Sequence, residues 1–122
     1  MRSIVTAASI MVALSSAAHG ELNTAPTGNG VGKLCGWTPF QDTVRDATAD
    51  ARCRAFVSGE VDGVIAGVEF SGKKLICVPD NTLGPAKFLV VQQYYAAHPE
   101  TYAGDFGRLV ADALSHAWPC HK

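Results

Sequence analysis

From Phe106 to Ala117 the apolar residues Phe106, Leu109, Val110, Ala113, Leu114 and Ala117 recur at spacings of three and four. That period places them on one face of a helix, and Pro119 stops it because a proline ring cannot continue the hydrogen-bond ladder. A second stripe, Cys53, Phe56, Val57, Val61, Val64, Ile65 and Val68, predicts another helix across Cys53 to Val68. Phe88, Val91 and Tyr95, flanked by Leu89 and Gln92, define a third, which must end near His98 because Pro99 disfavours helical geometry at the residue before it. No run alternates between apolar and polar residues for long enough to build a sheet. The pattern therefore predicts an all-α chain, a small domain of about three to four helices.

Boundary signals refine this picture. Thr38-Pro39-Phe40-Gln41 reads as a capping box, so a helix is expected to start there, with Thr38 as N-cap and Pro39 in the first helical position. Thr82 is placed to cap the helix that contains Pro85. "SGKKLICVPDN" is a connector with a turn at Ser71-Gly72, an extended piece through Ile76 and Val78, and Lys73 and Lys74 in solvent. "ELNTAPTGNGVGK", residues 21–33, has almost nothing to bury and is read as a flexible N-terminal arm. Residues 34–122 then make the helical domain.

Three glycines interrupt the second stripe. Gly59, Gly63 and Gly67 each cost about 1 kcal/mol of helix propensity relative to Ala, so their spacing of four predicts that another backbone comes close on that face. A tight helix crossing within the monomer is the favoured form of that contact, and a homodimer interface is the other. Glu60, Asp62 and Glu69 in the same stretch exclude a membrane dimer motif.

The first twenty residues change the compartment. Arg2 is the only Lys, Arg, Asp or Glu before Glu21, and the apolar run "IVTAASIMVALSSAA" is short and rich in Ser and Ala, as in a secretory signal peptide. Residues 1–20 are read as that signal, which implies a periplasmic protein with no membrane anchor once it is cleaved. Without Arg2 the chain has nine basic and eleven acidic side chains, so no basic excess calls for nucleic acid or an anionic membrane. All four cysteines, Cys35, Cys53, Cys77 and Cys120, lie after the signal. An even count in an oxidising compartment predicts two disulfides.

Their pairing follows from the helices. Two helices joined by a short connector around Pro99 to Gly104 should lie antiparallel as a C-terminal αα-hairpin. Cys77 precedes the first and Cys120 follows the second, which brings both to one end. Cys77 is accordingly paired with Cys120, and Cys35 with Cys53. Pairing of Cys120 also removes the other chemistry that "HAWPCHK" suggests. A metal held by His116, Cys120 and His121, or a Cys and His nucleophile pair, needs a thiol that an oxidising compartment would consume. His98 suits a helix C-terminus, where a cation meets the carbonyl end of the dipole. Asp62 with Glu69, and Asp105 with Asp112, are read as solvated helix positions rather than catalytic carboxylate pairs. No catalytic residue, metal site or cofactor is predicted, and the chain is not read as an enzyme.

Four stretches in order, "CRAFVSGEVDG", "CVPDNTLGP", "YYAAHPETY" and "ALSHAWPC", together resemble a family. It is the small periplasmic immunity proteins of the Rap and Tai type, which protect bacteria against peptidoglycan amidase toxins delivered by type VI secretion. The likeness spans roughly Cys53 to Cys120. It implies a disulfide-held helical domain without catalytic activity whose partner is a protein, an amidase effector. Because binding surfaces favour aromatic anchors, Trp37, Phe70 and Tyr102 are the candidate contact residues. The alternative reading is a small periplasmic stress protein or acid-responsive chaperone, supported by size and disulfides alone.

Overall fold

The computed structural model describes residues 26–41 and 45–121 of the chain. The expected signal peptide, residues 1–20, and the start of the expected arm lie outside the described residues. Within them are α1 (Gly28–Cys35), α2 (Ala47–Ser71), α3 (Gly84–Ala97) and α4 (Phe106–Ala117), with a 3-10 turn at Pro99–Thr101 between the last two. Among the described residues there is no strand, only two isolated bridges, Thr27 with Asp105 and Ile76 with Pro119. The all-α reading holds.

The α4 stripe does what its period demands. Phe106, Leu109, Val110, Ala113 and Leu114 are buried, and the Asp105 side chain caps the helix by accepting from the Gly107 amide at 3.2 Å. Around this face close α2 through Val57 and Val61, α3 through Val91 and Tyr95, and Trp37 from the segment after α1. α3 and α4 pack against each other as the expected helix pair. α3 ends at His98, as Pro99 requires, but Thr82 is not its cap: Leu83 occupies that position, and the Thr82 amide is engaged in a turn with the Pro79 carbonyl.

Two boundaries differ from expectation. Thr38 to Gln41 does not open a helix. Gln41 donates from its side-chain amide to the Thr38 hydroxyl, and the Phe40 amide turns back to the Trp37 carbonyl, so the capping groups are spent within a turn. α2 starts instead at Ala47, where the Asp46 carboxylate accepts from the Ala49 amide at 2.8 Å and concentrates negative charge at the positive end of the helix dipole.

The second difference is α1. The expected flexible arm runs to Lys33, yet its residues from Gly28 onward form a helix that continues to Cys35, capped by Thr27, with Val31 and Cys35 buried. Composition misleads here because the helix is held by tertiary contacts rather than by its own propensity. The Gly28 amide donates to the Gly104 carbonyl at 3.0 Å, Asn29 to Tyr102 at 2.7 Å, and Phe106 to Pro26 at 2.8 Å. A Cβ on Gly28 would stand 2.9 Å from the Tyr102 backbone, so the missing side chain is what lets the two segments meet.

Both disulfides are present as paired from the sequence, Cys35–Cys53 and Cys77–Cys120, each with Cα atoms 5.0 Å apart. The first ties α1 to α2, and the second ties the α2–α3 connector to the residues after α4. They close loops of 18 and 43 residues, which in the chain-entropy model contributes about 3 to 4 kcal/mol apiece. For a domain of this size that is a large share of net stability.

Candidate partner-binding surface

α2 is too long for the core it serves. Of its 25 residues only Cys53, Val57 and Val61 are buried, all in its first two-thirds. Beyond Val61 the inward residues Val64 and Ile65 are half-covered, and Phe70 near the end is 91% exposed. Gly72 closes the helix with a left-handed backbone, φ 70°, and the chain leaves into a connector that carries exposed Lys73, Lys74 and Leu75. Leu83, just before α3, is 72% exposed. Val68, Glu69, Gly72, Lys73, Lys74 and Ile76 line a shallow groove at this junction.

The glycine stripe belongs to the same surface. Gly59, Gly63, Gly67 and Phe70 succeed one another at spacings of four, four and three, which keeps them on one side of the helix. All four are exposed, and a Cβ built on any of the three glycines would meet nothing within 4 Å among the described residues. Among the described residues the helix crossing expected inside the monomer is therefore absent. Close approaches occur instead at Gly28 and Gly32, inside the expected arm, and at Gly36 against Arg45, while the α2 glycines leave a flat, open strip ending in an aromatic ring.

Of the three aromatic residues singled out as contacts, the structure presents only Phe70. Trp37 is 6% exposed and packs edge-on to Phe88 and Tyr95, with ring centroids 5.6 and 5.2 Å away, so it belongs to the core. Tyr102 is half-buried, with its ring stacked on Tyr95 at 4.1 Å and its carbonyl receiving the Asn29 amide; it braces the α1 contact. Lys73 and Lys74 were expected in solvent, whereas Leu75 and Leu83 were not singled out. Their signal was that both leucines stand outside every helical stripe.

The remaining candidate chemistry is dispersed. All four cysteines are in disulfides, so neither a thiolate ligand nor a nucleophile is left at Cys120. His98 is held by Glu100, Nδ1 to Oε1 at 2.8 Å, and stacks on Tyr94 with centroids 4.0 Å apart, while the His116 ring is tilted against the same tyrosine at 6.0 Å. A backbone amide hydrogen bond, helped by His98, keeps the Glu100 carboxyl below its usual range. Burial, reinforced by Asp112 and Glu100, pushes the Tyr94 hydroxyl up. Among the described residues no three His, Cys, Asp or Glu side chains gather as a metal site would require.

The surface thus combines exposed apolar side chains with the charged Glu69, Lys73 and Lys74 on a disulfide-held helical domain. The family model described as Rap1a immunity proteins matches residues 27–120. The chain belongs to the Rap1a immunity proteins. The match takes in α1 as well as the helices from α2 onward, extending the likeness seen from Cys53 to Cys120 back to the cap of the first helix. It also includes both disulfides and the whole α2–α3 connector. Comparison with curated proteins and with solved structures gave no match. As a Rap1a immunity protein the chain has a role in immunity, which implies a protein effector as its partner, and its two disulfides suit an oxidising compartment.

Proposed function

We propose that this protein is a periplasmic inhibitor that neutralises a peptidoglycan amidase effector of type VI secretion by covering its active-site cleft, and that it is not itself an enzyme. The observation that carries the reading is the Rap1a match over residues 27–120 in a chain where, among the described residues, the most exposed large apolar side chain, Phe70, ends a helix face that no other element covers. The signal-like residues 1–20 support export, and the amidase as target rests on the resemblance of the four sequence stretches to the Rap and Tai type.

The contact surface in this reading runs along Gly59, Gly63, Gly67 and Phe70 and onto Lys73, Lys74 and Leu75. The glycines let a partner approach the helix backbone, and Phe70 supplies the ring that fills a pocket. Two adjacent lysines beside apolar side chains suit a cleft whose rim is acidic, since complementary charge steers encounter and fixes register. A second copy of this chain is the other occupant that the open glycine face supports, and sedimentation equilibrium separates a dimer from a monomer.

The test is capture from periplasmic and culture extracts with the oxidised protein as bait, at neutral and acidic pH, read by mass spectrometry. The expected result is one amidase in near-equal amount at neutral pH. A broad set of unrelated proteins held only at acidic pH would replace this reading with a chaperone, and failure to bind or inhibit any amidase of the class would remove it.

A further inference from the structure

The two disulfides differ in what surrounds them. Cys35 and Cys53 are 7% and 1% exposed and sit within the core beside Val31, Trp37 and Val57. Cys77 is exposed and Cys120 half-buried, and neither belongs to the core cluster. Cys77 lies in the connector that carries Lys73, Lys74 and Leu75. That connector is tied to the end of the chain at three adjacent points: the Cys77 amide donating to the Trp118 carbonyl at 2.9 Å, the bridge between Ile76 and Pro119, and the disulfide itself. A thiolate needs a path to the sulfur, so surroundings of this kind decide which bridge is exchanged first.

We infer that Cys77–Cys120 is a thiol–disulfide exchange site, open to a dithiol reductant while the rest of the fold stays intact, and that its state sets the order of the 72–83 connector. In the exchange, a thiolate of the dithiol attacks one sulfur of the bridge, the S–S bond breaks, and the other cysteine leaves as a thiolate that takes up a proton. The second thiol of the reductant then attacks the mixed disulfide, so the dithiol is oxidised by two electrons and Cys77 and Cys120 end as thiols. The helical core keeps Cys35–Cys53, which joins α1 to α2 independently of the connector. That the connector is also part of the effector contact rests on the proposed function; the exchange does not.

The experiment needs no partner. Oxidised protein is treated with dithiothreitol in native buffer, trapped with iodoacetamide at intervals and mapped by mass spectrometry, with far-ultraviolet circular dichroism followed in parallel. Cys77 and Cys120 are expected to be alkylated at least ten times faster than Cys35 and Cys53, with the helical signal retained. In the double variant C77S/C120S, amide exchange should accelerate across 72–83 and stay slow in α4. Simultaneous reduction of all four cysteines, reduction of Cys35–Cys53 first, loss of helix before any alkylation, or unchanged exchange across 72–83 in the double variant would each overturn the assignment.

Discussion

A Cβ on Gly32 would collide with the Tyr95 hydroxyl and stand 2.8 Å from its Cζ and 2.9 Å from Cδ2 of Phe40. α1 and α3 meet at this point because one of them has no side chain there. Tyr95 is completely buried, and its hydroxyl has no hydrogen-bond partner among the described residues.

Gly32→Ala should therefore destabilise the fold by about 1 to 3 kcal/mol, the usual cost of forcing a methyl group into a packed interior. Because the obstructing atom is largely the hydroxyl, adding Tyr95→Phe should recover part of the loss. Urea unfolding of the two single variants and the double variant measures the coupling, and strict additivity would mean the clash lies elsewhere.

Tyr95→Phe alone should be neutral or stabilising, since it removes a buried polar group that makes no bond. It should also change the alkaline limb. Burial, with Tyr102 adding to it, pushes the Tyr95 hydroxyl up to about 12. Above the ordinary value of 10 the unfolded state releases a proton that the folded state retains, so stability falls as pH rises from there toward 12. Stability measured across this window should fall less steeply in the variant than in the parent.

Alanine at Gly59, Gly63 or Gly67 should stabilise the isolated protein by about 0.5 to 1 kcal/mol each, because helix propensity improves and none of the described residues stands within 4 Å to be displaced. The same changes should weaken partner binding if that face is the contact. A gain in melting temperature together with a lower affinity by calorimetry is the expected pair of results.

Phe70→Ala removes a ring that is 91% exposed, so its unfolding free energy should stay within about 0.5 kcal/mol of the parent. Effector affinity should drop at least ten-fold. Trp37→Ala is the contrasting control, since loss of a core ring should cost about 3 to 5 kcal/mol and compromise the fold itself.

Asp46→Ala tests the start of α2. Removing the carboxylate that receives the Ala49 amide should cost about 1 kcal/mol, whereas Thr38→Ala, at the position the sequence proposed as a cap, should cost less. Equal losses would contradict the observed helix boundary.

Much of the fold was legible along the chain. The stripes of α2 and α4 required only that each helix bury one side, and Pro99 and Pro119 end their helices by local sterics wherever they occur. The cysteine pairing could be read because the order of the helices, with a short link between the last two, limits which thiols can meet. The candidate surface was legible only in fragments: Phe70 was named for its ring, and the glycines for a helix crossing that the described residues of the monomer do not make.

What the sequence determined by itself was everything governed by period and local stereochemistry: an all-α chain, its helix ends at prolines, and a pair of disulfides. Tertiary structure alone decided that a glycine-rich segment without helical propensity becomes α1, because backbone hydrogen bonds to Tyr102 and Gly104 and the space at Gly28 and Gly32 hold it in place. It also decided that Trp37 turns inward while Phe70 and three glycines on α2 face outward. A glycine at helical spacing states only that a backbone can be approached. Which backbone approaches depends on where the other helices lie, and that is a property of the packed whole.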